Sequence, residues 1–125
     1  MKKLILAAAI AIIWSSAALA APIDFTIEFK QLDGTEFKDS TGKVVPLTLR
    51  AAAETALMAS YPDEQNLSGQ EKLKRYILAT KIEKATKTLD LTADEVTLLK
   101  TLIAKAYGPL VMGEAWAVLD PPSVK

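Results

Sequence analysis

Apolar and polar residues alternate along the chain just after its first twenty residues. Every second residue from Ile23 to Phe29 is apolar, and the residues between them are polar or charged. This period of two is typical of a strand with one buried face. The Asp33-Gly34 pair predicts a type I′ turn, and the chain as far as Val45 predicts a short antiparallel meander. Such a meander is marginal alone, so we expect helices to cover its phenylalanine face.

After Pro46 the apolar spacing becomes that of amphipathic helices. Thr48 is the predicted N-cap of a helix over 49–60, and capping boxes at Ser68 and Thr92 predict two more helices. In the first helix one arc is apolar, comprising Leu49, Ala52, Ala53, Ala56 and Leu57. We expect Gly108 to end the third helix in a left-handed conformation and Pro109 to begin a fourth. The pattern predicts an α+β fold in which a short N-terminal antiparallel β-meander packs against three to four α-helices.

The segment Lys72–Lys87 is basic, but its charges surround the predicted helix instead of sharing one face. Two apolar sectors lie between the charges: Leu73, Tyr76 and Ile77 on one side, and Leu78, Ile82, Ala85 and Leu89 on the other. A helix buried on two sides, or one that bends midway, explains this pattern better than a phosphate-binding face. The pairs Glu71–Arg75 and Glu83–Lys87 have the spacing of helical ion pairs.

The first twenty residues have the pattern of a secretory signal peptide. Lys2 and Lys3 are followed by an apolar run from Leu4 to Trp14, and Ala18-Leu19-Ala20 matches the small-x-small cleavage pattern. An uncleaved membrane anchor is the alternative, because the run is near the minimum length for crossing a bilayer. We predict a signal peptide at 1–20, a single α+β domain at 21–125, and a periplasmic or secreted location.

Composition excludes several classes of chemistry. The chain of 125 residues has 15 basic and 15 acidic side chains, and neither cysteine nor histidine. Disulfide frameworks, thiolate or imidazole zinc sites, and nucleophile–base pairs that use these residues are therefore excluded. A carboxylate-dependent hydrolase using Asp33 or Asp39 is the less favoured alternative, since a turn explains each residue more simply. We predict a non-enzymatic protein with no catalytic residue, cofactor or metal.

The C-terminal region carries the candidate partner-binding residues Tyr107, Met112 and Trp116. Tryptophan is favoured in interface anchors, and methionine adapts to different surfaces. The alternative is that Trp116 packs in the core of this small domain. We predict that the protein binds a protein partner, and that neither nucleic acid nor, after signal cleavage, a membrane is its target. A self-associating structural or assembly protein is the second hypothesis.

Several short segments resemble a group of small, uncharacterised phage and prophage proteins. The segments are Leu32-Asp33-Gly34, Leu47–Arg50, Leu67–Lys72, Leu91–Glu95 and Lys105–Val111, followed by Gly113 and Trp116. The resemblance spans nearly all of 21–125 and consists of turns, caps and packing positions. It therefore implies a shared fold and a phage-related origin, but no activity. Members of the group mostly start directly at the strand, so the leader is a departure from their pattern.

Overall fold

The computed structural model describes residues 22–120, so the predicted signal peptide at 1–20 and its anchor alternative lie outside the described residues. Within 22–120 there are four α-helices and a two-stranded antiparallel sheet. The helices are α1 (Leu49–Met58), α2 (Gly69–Lys84), α3 (Ala93–Ala106) and α4 (Pro109–Leu119), and the strands are β1 (Ile23–Asp24) and β2 (Thr88–Leu89). A 3₁₀ turn, Pro62–Glu64, joins α1 to α2. The α+β class is confirmed.

Helix α1 lies at the centre of the domain and packs against both α2 and α3, while α4 packs against α3 and β1. Strand β2 follows α2 and pairs with β1, so that Ile23 faces Leu89 and Asp24 faces Thr88. The largest fully buried side chains come from every layer: Phe25, Phe29, Leu49, Ile82, Leu91, Leu99, Leu102 and Ile103. No helix in residues 22–120 has the length and apolar character needed to cross a bilayer.

The apolar arc predicted for α1 is confirmed. All five of its residues are buried, and they are Leu49, Ala52, Ala53, Ala56 and Leu57. The Thr48 hydroxyl accepts a hydrogen bond from the Ala51 amide at 3.1 Å, as an N-cap should. Because three of the buried side chains are alanines, the backbones of neighbouring helices can approach α1 closely. This short helix therefore contacts two helices at once.

The N-terminal segment folds back on itself, but through isolated bridges instead of a continuous ladder. The bridges join Lys30 to Glu36, Lys38 to Val44, and Glu28 to Thr48. Phe25 and Phe29 are buried as the alternation predicts, whereas Ile27 is exposed. The predicted strand from Ile23 is interrupted at Phe25 and Thr26, where the backbone turns.

Three Asp-x-Thr motifs lie where the N-terminal segment turns, and the first of them explains the interruption at Phe25 and Thr26. In each, one aspartate oxygen accepts a hydrogen bond from the amide of the threonine two residues later and a second from its hydroxyl at 2.6 Å. The motifs are Asp24-Phe25-Thr26, Asp33-Gly34-Thr35 and Asp39-Ser40-Thr41. These bonds stabilise the ionised carboxylate, so they lower the pKa of all three aspartates. Each motif favours a local turn over a strand.

The predicted type I′ turn at Asp33-Gly34 is wrong. Gly34 has a φ of 86° and Gly42 a φ of 87°, but no residue other than glycine in 22–120 has a positive φ. Each glycine amide donates back to the residue three positions earlier, Gln31 at 2.8 Å and Asp39 at 3.0 Å. This is the three-residue hairpin loop, which needs a left-handed residue only at its last position.

Two predictions about helix ends are also wrong, one for Gly108 and one for the capping box at Ser68. Gly108 has a φ of −80°, so it does not end α3 in a left-handed conformation and is instead the N-cap of α4, with Pro109 as the first helical residue. The capping box at Thr92 is complete, since Thr92 and Glu95 satisfy each other's amides. At Ser68 only half of the box forms: the serine hydroxyl accepts from the Glu71 amide, but the Glu71 carboxylate bonds Lys74.

Candidate functional site

One side of α2 carries large apolar side chains that residues 22–120 leave exposed. Leu73, Tyr76 and Ile77 are 55%, 56% and 52% exposed. We call these three residues the outward face of α2. Met58, the last residue of α1, is 58% exposed and lines a groove with Tyr76. The predicted burial of α2 on two sides is therefore wrong, because only one of its two apolar sectors reaches the core.

The opposite side of α2 is held inward by a buried ion pair. Arg75 is 6% exposed, and its two terminal nitrogens donate to the two carboxylate oxygens of Glu64 at 2.8 Å each. Leu78, Ala79 and Ile82 are buried on the same side. The predicted Glu71–Arg75 pair is wrong, since the guanidinium reaches a carboxylate in the 3₁₀ turn. This bidentate geometry fixes the rotation of α2 and so fixes which residues point outward.

The same carboxylate ties α2 to α3. Lys105 donates to Glu64 at 2.9 Å and also contacts Asp63 at 3.0 Å. Hydrogen bonds from Arg75 and then Lys105 lower the pKa of Glu64 to about 2. The Tyr61 hydroxyl donates to the Ala56 carbonyl at 2.6 Å, which fixes the start of the connection to α1. The connection between α1 and α2 is therefore anchored on both helices that flank it.

Arg50 fixes the other end of α2. Its guanidinium donates to the carbonyls of Ile82, Glu83 and Ala85 at the C-terminus of the helix, where favourable contacts with a cation stabilise the helix end. Because α2 ends at Lys84, the predicted helical pair Glu83–Lys87 does not form, and Lys87 lies 3.9 Å from Asp24 instead.

Two grooves border the outward face. Between α1 and α2 lies a groove of about 220 Å³, lined by Glu54, Met58, Tyr76, Ala79, Thr80, Glu83 and Lys84. Between α2 and α3 lies a groove of about 240 Å³, lined by Glu71, Lys74, Ile77, Leu78, Asp94, Glu95 and Leu98. Tyr76 thus borders one groove and Ile77 the other. The outward face and its two grooves therefore form a continuous surface, and side chains of a bound partner can enter a groove on either side of it.

A pair of carboxyl groups lies in the groove between α1 and α2. Burial, then hydrogen bonding to Glu83 and repulsion from its charge, raise the pKa of Glu54 to about 7. One oxygen of Glu54 is shielded from solvent and has no hydrogen-bond donor among the described residues. A carboxyl oxygen in that position is best satisfied when one of the two groups carries a proton.

Lysines surround the outward face. Lys74 and Lys81 form ion pairs with Glu71 and Glu95 at 3.1 Å and 3.0 Å. Within 22–120, Lys72 and Lys84 form no ion pair. Two exposed positive charges are thus left, one next to Leu73 and one about two helical turns beyond Ile77.

The predicted binding residues near the C-terminus are more enclosed than the outward face. Tyr107, Met112 and Trp116 are all partly buried, and Tyr107 packs against the core. The Trp116 indole nitrogen donates to the Lys100 carbonyl at 3.1 Å, and the Lys100 ammonium lies 4.5 Å from the indole centre. Met112 and Trp116 are one turn apart on α4. The tryptophan thus makes both a polar and a cationic contact inside the domain.

The aspartates considered for hydrolysis lie elsewhere. Asp33 and Asp39 are exposed in hairpin turns, where their carboxylates bond threonines, and neither lines one of the two grooves. Within 22–120, no group of three or more acidic side chains is arranged to hold a metal ion. The turns place these two residues apart from both grooves.

Comparisons with protein-family models, with curated proteins and with solved structures found no match to this chain. The relation to phage and prophage proteins therefore stays a prediction. Sequence reasoning found the apolar sector that contains Tyr76 but assigned it to the interior, so the signal was present and its interpretation was wrong.

Proposed function

We propose that this chain is an exported, non-enzymatic protein, phage- or prophage-related, that binds a protein partner through the outward face of α2. One observation carries the proposal: Leu73, Tyr76 and Ile77 form an apolar ridge, each more than half exposed, on a helix whose other side is buried. Contiguous exposed apolar surface with a polar rim marks interaction sites. The leader pattern supports export, and the resemblance described above supports the phage relation.

The shape of this surface favours an amphipathic helix as the occupant. A helix presents apolar side chains three and four residues apart, and these can enter the grooves beside Tyr76 and Ile77. An anionic lipid surface fits less well, because Glu54 and Glu83 line one groove while Asp94 and Glu95 line the other. Anionic headgroups would face these carboxylates across the whole surface, whereas a helix can place its own carboxylates beside Lys72 and Lys84 and its apolar side chains in the grooves.

Charge argues against a second copy of this chain as the occupant. If two α2 helices paired antiparallel about the point between Tyr76 and Ile77, Lys72 would lie opposite Lys81, which already pairs with Glu95, and Lys84 would lie opposite Gly69. Neither unpaired lysine would then meet a carboxylate. Parallel pairing would place each lysine opposite itself. The unpaired Lys72 and Lys84 are separated by roughly 18 Å along the helix axis, at 1.5 Å per residue. The expected partner is therefore a helix with carboxylates about three turns apart at its edges.

The proposal can be tested with a designed helix as a probe. The probe is a fluorescently labelled amphipathic peptide of about 20 residues, since shorter isolated helices are marginal in water. Its apolar face carries leucines and its polar positions carry glutamates, and a second peptide carries lysines in place of the glutamates. We expect the acidic peptide to bind in fluorescence anisotropy and the basic peptide to bind about tenfold or more weakly.

Matched variants connect binding to the surface. Replacing Leu73, Tyr76 and Ile77 with serine should abolish binding, whereas Leu32→Ser, at a residue 94% exposed in a hairpin turn, should leave it unchanged. Reversing charge at Lys72 and Lys84 should weaken binding, with Lys38→Glu as the control. Equal binding of both peptides, or full binding by the triple variant, would overturn the proposal. So would a concentration-dependent dimer lost in the triple variant, or binding to phosphatidylglycerol vesicles in place of the peptide.

A further inference from the structure

The carboxyl pair beside the outward face lacks a neutralising partner. Glu54 on α1 and Glu83 on α2 line the same groove, and within 22–120 neither forms an ion pair. Arg50 lies one turn before Glu54, but its hydrogen bonds go to the carbonyls at the end of α2. Arg50 therefore stabilises a helix terminus, and its charge only partly offsets the effects that raise the pKa of Glu54.

The other charged and titratable groups around the pair come from two helices. From α2, Tyr76 and Lys84 line the groove, and Lys84 forms no ion pair within the described range. The groove has no lining residue from α3, the second helix that packs on α1. The lysines of α3 are engaged elsewhere: Lys100 pairs with Asp120, and Lys105 with Asp63 and Glu64. Glu95 of α3 pairs with Lys81, and Asp94 lines the opposite groove.

A shared proton is the simplest way to give the shielded Glu54 oxygen a hydrogen-bond donor and to remove one of the two negative charges. One Glu54 oxygen is shielded from water and has no donor among the described residues. If one carboxyl group is protonated, its O–H can donate to the other carboxylate across the α1–α2 groove. Two ionised carboxylates in that place would repel each other, and the shielded oxygen would keep its desolvation cost.

We propose that one proton shared by Glu54 and Glu83 controls docking on the outward face, so that the partner binds at or below neutral pH and is released as the pH rises. This inference rests on the proposed function. A partner side chain that enters the groove removes water from the pair, which costs little when the pair has one charge and much more when it has two. The raised pKa of Glu54 supports the same direction. By linkage, affinity should fall by up to about tenfold per pH unit above neutrality.

Carboxyl titration tests the proton without any partner. The chemical shifts of the Glu54 and Glu83 carboxyl carbons are followed by NMR from acidic to alkaline pH. We expect the Glu54 carboxyl carbon to report a titration near neutrality, because burial and the neighbouring Glu83 raise its pKa. Glu83→Gln should move the Glu54 titration to lower pH, because an amide can donate to the ionised Glu54. Titration of Glu54 in the ordinary acidic range would overturn the inference and leave the proposed function intact.

Binding of the acidic peptide at pH 6 and at pH 8.5 tests the coupling. The wild-type protein should bind at least tenfold more weakly at the higher pH, and Glu54→Gln and Glu83→Gln should remove most of this difference, with Glu28→Gln as the matched control. A wild-type affinity that is equal at both pH values, or a pH dependence that persists in both groove variants, would overturn the inference. Loss of binding at every pH in wild type and variants would overturn the proposed function even if the pair titrates near neutrality.

Discussion

Two apolar surfaces of this domain have similar composition but different environments. The outward face of α2 contributes Tyr76 with two aliphatic residues, and the C-terminal region contributes Trp116 with Tyr107 and Met112. Trp116 is partly buried, and its indole nitrogen bonds the Lys100 carbonyl, whereas Tyr76 is more than half exposed. The difference indicates that the domain uses its tryptophan for its own packing. The large apolar side chains exposed on α2 instead carry the proposed partner site.

The largest expected effect on stability is at the Arg75–Glu64 ion pair, which fixes which side of α2 faces solvent. Arg75→Met should lower the free energy of unfolding by about 2–4 kcal/mol, because Glu64 loses its bidentate partner while partly buried. Urea denaturation measures the change. The double variant Arg75→Met, Glu64→Met should recover much of the loss, since an apolar pair leaves no carboxylate without its partner. A single variant as stable as wild type would contradict this role of Arg75.

The next effect distinguishes the two apolar surfaces directly. Trp116→Ala should lower the free energy of unfolding by about 2–3 kcal/mol, from lost packing and the lost bond to Lys100. Trp116→Phe keeps most of the apolar volume and should cost about 1 kcal/mol. Thermal unfolding followed by circular dichroism gives both values. If Trp116→Ala kept full stability and lost peptide binding, the binding surface would be at the C-terminus.

A smaller effect should appear in the pH dependence of stability. The pKa of Glu54 is raised to about 7 in the folded state, from an ordinary value of 4.5. Folding therefore takes up a proton between these values, and stability falls as pH rises through about 7, by on the order of 1–3 kcal/mol. Glu54→Gln should flatten the curve of urea midpoint against pH in this window. An unchanged curve would contradict the raised pKa.

Glu64 and the aspartates of the Asp-x-Thr turns change stability with pH in the opposite direction to Glu54. Their pKa values are lowered in the folded state, so the stability they add is present above their ordinary values and is lost as the pH falls below them. This loss lies on the acidic side of the Glu54 window. The two effects can therefore be separated in one pH series.

The smallest effect on stability is expected at the outward face itself. Tyr76→Ser and Ile77→Ser should each change the free energy of unfolding by no more than about 1 kcal/mol, since about half of each side chain is exposed. Urea denaturation at neutral pH checks this. A loss comparable with that of Trp116→Ala would mean that these side chains support the fold, and the contrast between the two surfaces would disappear.

Local patterns predicted much of the fold. The arc on α1, the caps at Thr48 and Thr92 and the helix start at Pro109 follow from spacing within a few residues. The Asp-x-Thr turns were also readable, since the motif occurs three times before α1. Alternation alone does not show that these turns compete with a strand, so the pattern predicts a continuous strand through Phe25, where the chain in fact turns.

The orientation of α2 could not be predicted in this way. Its sequence presents two apolar sectors, and spacing alone does not say which one is buried. The choice depends on Arg75 reaching Glu64, eleven positions away, and on Lys105 reaching the same carboxylate from forty-one positions away. Contacts between residues this far apart in the sequence depend on how all three helices are arranged. For the same reason the Glu54–Glu83 pair, formed across two helices, left no signal in the sequence.

The most direct test maps where the acidic amphipathic peptide binds. Backbone amide shifts of the isotope-labelled protein are recorded as the peptide is added at pH 6. We predict that the changes concentrate at Leu73, Tyr76, Ile77 and Thr80, and that the amides of Tyr107, Met112 and Trp116 change little. Changes concentrated on α4, or no localised change at saturating peptide, would contradict the assignment of the outward face of α2 as the binding surface.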